Sequence, residues 1–77
     1  MSWYYVKLNE DDALVIYAYG WETKETTGKL MYDKNTKKVT VIKVADNDDE
    51  KSVKWAAGYL LDVVKNGYPE KKVIMIG

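Results

Sequence analysis

Only one stretch of this sequence has the period of a helix. Val53, Ala56, Ala57, Leu60, Leu61 and Val64 stand at offsets of 0, 3, 4, 7, 8 and 11, which is one stripe of an α-helix. Asn47 followed three residues later by Glu50 gives a variant of the capping box before that stripe, and Asn66-Gly67 with Pro69 beyond gives the stop. A helix is predicted over about 48–66. Every other apolar segment reads as strand, and a single helix can bury only one face of a sheet. Whatever covers the second face, or fails to, therefore bears directly on what the chain does.

The strand segments follow from composition and turn chemistry. Trp3 to Leu8 is an aromatic and β-branched run, Asn9-Glu10-Asp11-Asp12 is a polar turn, and Ala13 to Trp21 is a second strand, together a first hairpin. Glu22 to Thr27 is a polar connection, and Gly28 leads into a third strand at Lys29-Leu30-Met31-Tyr32. The segment Tyr32-Asp33-Lys34-Asn35-Thr36-Lys37-Lys38-Val39-Thr40-Val41 carries the most specific local signal. Asp33 can accept hydrogen bonds from turn amides, Thr36 can bond back to the turn backbone, and both arms are strand-forming. Over these ten residues the chain resembles the second hairpin of the protein G immunoglobulin-binding domain, with its Tyr-Asp-x-x-Thr-Lys-x-x-Thr-Val pattern. The resemblance implies the turn geometry and no binding function. It sets Tyr32 opposite Val39 and Leu30 opposite Val41 on one face, with Met31, Thr40 and Ile42 on the other. Lys72 to Ile76 closes the chain as a short strand whose unbroken Val73-Ile74-Met75-Ile76 run suggests an inner strand or an interface.

The expected architecture is one α+β domain over residues 1–77, a two-layer sandwich of a mainly antiparallel sheet with one helix on one face, order ββββαβ. A right-handed crossover from the fourth strand through the helix could put the last strand parallel to the fourth, and the sequence does not fix the sheet order.

Composition removes most catalytic chemistry. The 77 residues contain no Cys and no His, so there is no thiolate nucleophile, no Cys-type zinc site, and neither the commonest metal ligand nor the commonest base near neutral pH. Lys supplies all 12 cationic side chains against 12 acidic ones, a net charge of zero with no Arg for phosphate forks. The acidic run Asp46, Asp48, Asp49, Glu50 does not fit an EF-hand loop, since Lys51 stands where the turn Gly is needed and Ala57 where the bidentate Glu is needed. Its residues suit the start of a helix instead. No phosphate loop exists because the five Gly never cluster. A glycoside-hydrolysing carboxylate pair or a Schiff-base Lys remains conceivable on residue types alone, without any arrangement to support it. No enzymatic activity, cofactor or metal is expected. Apolar runs are too short for a membrane-spanning helix, and Met1-Ser-Trp-Tyr-Tyr lacks the features of a secretory signal, so the expectation is a cytoplasmic protein.

Alternation points to a surface. The first strand divides into Tyr4, Val6, Leu8 against Trp3, Tyr5, Lys7; the second divides into Leu14, Ile16, Ala18 against Val15, Tyr17, Tyr19, Trp21. If the aliphatic sets face the helix, Trp3, Tyr5, Tyr17, Tyr19 and Trp21 gather on the open face as a partner-binding patch. The competing reading is that these rings close a core or cover the sheet as ordinary cross-strand pairs. The expected function is thus protein contact through the aromatic face, with itself as a homodimer or with a protein partner. Single-stranded nucleic acid, stacking on the same rings beside Lys34, Lys37, Lys38 and Lys43, ranks behind it, and sugar stacking has only aromaticity in its favour.

Overall fold

A computed structural model describes all residues, Met1–Gly77. The elements run in the order β1 (Ser2–Glu10), β2 (Leu14–Trp21), β3 (Gly28–Asp33), β4 (Val39–Lys43), α1 (Val53–Val63) and β5 (Lys71–Met75). They form one five-stranded sheet, in spatial order β4-β3-β2-β1-β5, antiparallel throughout, with the helix packed on one face. The expected α+β sandwich of order ββββαβ is the observed one.

The tight turns of the first and second hairpins are each set by an Asp carboxylate. Asp11 Oδ1 accepts the amides of Ala13 and Leu14 at 2.7 and 2.9 Å, closing the first hairpin. Asp33 Oδ1 does the same for Asn35 and Thr36, and Lys37 turns back with a φ of 61°. The register that follows, Tyr32 with Val39, Met31 with Thr40 and Leu30 with Val41, is the one the hairpin sequence predicted. A bulge between Lys29 and Leu30 then skews the far end.

The helix is shorter than predicted and is not opened by a capping box. Residues 48–52 form turns in which Asp49 Oδ1 accepts the amides of Lys51 and Ser52, while the Asn47 amide donates to the Trp21 carbonyl. Side-chain acceptors that satisfy a turn this well hold the backbone out of the helix until Val53. At the other end, Gly67 has a φ of 125° and lies in the turn that leads to β5.

The last strand differs from the expectation of an inner strand. It is an edge, bonded to β1 alone, and of its residues only Ile74 is half-buried. The helix touches both β4 and β5, so it crosses from one edge of the sheet to the other. A crossover of that reach delivers β5 beside β1, four strand spacings from β4.

Candidate functional site

The placement of the five sequence-nominated aromatics follows from what the helix offers. Its inner stripe is Val53, Ala56, Leu60 and Val63, small side chains for a layer that must be filled to crystal-like density. The sheet supplies the missing bulk. Trp3, Tyr5, Tyr17 and Tyr19 are 3%, 1%, 0% and 0% exposed and pack with Leu30, Tyr32 and the helix in one core; Trp21 lies half-buried at its margin. The expectation that these rings occupy the open face is therefore corrected: they lie under the helix.

Their hydroxyl groups explain why Tyr rather than Phe fills this layer. Tyr5 Oη donates to the Ala56 carbonyl on the helix at 2.7 Å, and Tyr17 Oη donates to the Pro69 carbonyl at 2.7 Å. Tyr19 Oη donates to Asp48 Oδ2 at 2.7 Å and accepts the Ala45 amide at 3.0 Å. Three rings thus span from the sheet to the helix and to the segments on either side of it, and no buried side-chain polar atom lacks a partner. Burial raises the pKa of all three phenols: Tyr17 is pushed up to about 12, and Tyr5 and Tyr19 are pushed higher still, with Asp48 opposing ionisation of Tyr19.

Lys7 shares the inner register of β1 and closes one end of the layer. Its Nζ lies 2.7 Å from Glu10, 3.2 Å from Glu70 and 3.0 Å from the Tyr68 carbonyl. Lys34 pairs with the other oxygen of Glu10 at 2.8 Å and stands 4.4 Å over the Tyr68 ring. These contacts hold Glu10 below the usual carboxylate range and Lys7 above the usual lysine value. Both cations of the cluster are committed to carboxylates, and the cluster fastens the 68–70 loop to the first hairpin. Among the lysines of the second hairpin, Lys34 and Lys43 are likewise ion-paired, to Glu10 and Asp46.

The face away from the helix carries the other half of each strand. Pairing sets Val6 beside Ala18, Ala18 beside Lys29, Ile16 beside Met31, Met31 beside Thr40, and Leu14 beside Asp33. Tyr4 lies beside Gly20 on one side and Val73 on the other. No helix or strand covers the outward layer of Val6, Leu14, Ile16 and Met31, all half-buried; Leu8 and Ile42, 52% and 50% exposed, stand beside it at the two register shifts of the sheet. The one segment that folds over it is the 22–27 connection, whose Thr23 and Glu25 carbonyls rest against Gly20. Sequence alternation recognised the aliphatic set but assigned it to the core. The small size of the helix stripe was the signal that could have reversed the assignment.

Compared with protein-family models, curated proteins and solved structures, the chain matches none. No helix is long and apolar enough to cross a membrane, and no three acidic side chains converge as a cation site.

Proposed function

We propose that the protein is a protein-contact module that pairs with a second copy of itself through the open sheet face. The observation that carries this reading is the uncovered aliphatic layer spanning the sheet, a contiguous apolar surface of the kind that marks contact sites. Its relief and charge are self-complementary. Along β2 the outward residues shrink from Leu14 and Ile16 to Ala18, a ridge followed by a step down, beyond which the 22–27 connection covers Gly20. Along β3, Lys29 and Asp33 stand at opposite ends of the outward row, on either side of Met31, and neither makes an ion pair within the chain.

A two-fold axis in the plane of the face, perpendicular to the strands and through Ile16 and Met31, lays Leu14 of each copy over Ala18 of the other. The same operation sets Lys29 of each copy against Asp33 of the other. Zero net charge leaves no long-range repulsion between copies. At about 4.8 Å between strands and about 3.3 Å per residue, four strands over six residues overlap by roughly 400 Å² in projection. Counted over both copies this is about 800 Å², below the usual specific interface of about 1,200–2,000 Å², so the expected association is weak, with a dissociation constant in the range of about 10–1,000 µM.

Sedimentation equilibrium over a concentration series spanning that range is the test. Dimer formation in the native chain, lost in Ile16→Lys and weakened in Lys29→Glu with unchanged far-UV circular dichroism, supports the reading. A monomer at every concentration overturns it.

A further inference from the structure

At one corner of the open face, meeting the overlap just described at Val6, the sheet forms a groove of about 240 Å³ whose lining includes Tyr4, Val6, Val73, Lys24, Thr26 and Lys71. Its floor is built by register: Tyr4 pairs with Val73 and Val6 with Lys71, all four on the outward side of β1 and β5. Its wall is the 22–27 connection, which is fixed rather than loose. Glu22, at a φ of 63°, is held by the Ser2 backbone in both directions, its amide donating to the Ser2 carbonyl and its carboxylate accepting the Ser2 amide. Beyond it the Thr23 and Glu25 carbonyls press on Gly20, a contact that any larger residue there would block.

The charge at the groove is one-sided. Lys24 and Lys71 border it, no acidic residue does, and neither lysine makes an ion pair or a side-chain hydrogen bond anywhere in the chain. In a molecule of zero net charge this is an unbalanced cationic rim around an apolar floor.

We infer that this groove binds a small carboxylic acid with an apolar body, a medium-chain acyl or aryl carboxylate. The apolar part would lie on Tyr4, Val6 and Val73, with the carboxylate between Lys24 and Lys71 and the Thr26 hydroxyl in reach of it. The size fits: at about 30 Å³ per water, the groove holds the equivalent of about eight waters. This is less than the usual drug-sized pocket of about 300 Å³ or more and suits a compact ligand.

The test is a two-dimensional amide NMR titration with octanoate, octan-1-ol and octylamine on the native chain, on Lys24→Gln/Lys71→Gln and on Val73→Trp. Octanoate is expected to shift the amides of Tyr4, Val6, Lys24, Lys71 and Val73, and to bind more tightly than the alcohol, while the amine leaves those amides unshifted. Loss of two solvated lysines should weaken octanoate about three- to tenfold, and Val73→Trp should abolish its binding by filling the floor. Equal affinity for the alcohol, shifts centred elsewhere, or an unchanged affinity in the lysine variant would overturn the assignment. The groove shares Val6 with the proposed dimer face, so Ile16→Lys, which breaks that dimer, should bind octanoate at least as tightly as the native chain; loss of binding in this variant would overturn the assignment, whereas a native chain that is monomeric and still binds octanoate would overturn only the dimer.

Discussion

A methyl group added to Gly28 would collide with the ring of Tyr19, whereas one added to Gly58 meets nothing within 4 Å. The same residue type therefore serves opposite ends. Gly28 exists so that a buried Tyr ring can lie flat across β3, and Gly28→Ala should cost about 1–3 kcal/mol by overpacking. Gly58 sits in mid-helix with open space around it, and Gly58→Ala should stabilise by about 1 kcal/mol, since nothing within the chain uses the missing side chain. Guanidinium unfolding of both variants checks the pair, and a loss of stability in Gly58→Ala would refute the second. The tyrosines divide in a similar way between ring and hydroxyl. Tyr5→Phe keeps the ring and removes only the donor to the Ala56 carbonyl, a loss of about 1 kcal/mol, while Tyr5→Ala opens a cavity under the helix and should cost about 3–5 kcal/mol. Sequence alone showed these rings to be special, yet it could not say which side of the sheet they serve, because alternation defines two faces without labelling them.

Asp11, Asp33 and Asp49 each accept two backbone amides of the two or three residues that follow them, and those hydrogen bonds hold all three carboxyls below the usual Asp range. A carboxyl whose folded pKa is depressed contributes stability above its unfolded value of about 3.9, and that contribution is lost as pH falls through the folded value. The turns should therefore weaken together in acid below about pH 4. Asp33→Asn should be less stable than the native chain at neutral pH, with the difference shrinking as pH approaches about 2; urea unfolding across a pH series tests this. The hairpin at 32–41 was fully legible because its register depends on local turn chemistry. The helix start was not, because Asp49 competes for the amides of the incoming turn and delays the helix to Val53. Strand β5 was legible as a strand but not as an edge, since its neighbour is β1, about seventy residues away along the chain.

The fold as a whole is held between sheet and helix by phenols that ionise with difficulty. A group whose folded pKa is raised stabilises fully below its unfolded value, about 10 for Tyr, and loses that contribution as pH rises through the folded value, about 12 for Tyr17. Tyrosinate absorbance from Tyr5, Tyr17 and Tyr19 should thus appear together with loss of helical circular dichroism above about pH 10, and ionisation of all three in a still-folded chain would contradict the packing. What the sequence by itself determined was the number and order of elements, the second hairpin's register and the existence of two unlike sheet faces, all consequences of period and turn chemistry acting over a few residues. Only the tertiary structure decided which face is covered, because that depends on matching volumes across the layer: a stripe of Val53, Ala56, Leu60 and Val63 leaves space that Trp3, Tyr5, Tyr17 and Tyr19 fill and the aliphatic set would not. It also decided that Tyr4, Val6 and Val73 share a corner with Lys24 and Lys71, since that grouping needs the pairing of β1 with β5 and a connection folded over Gly20.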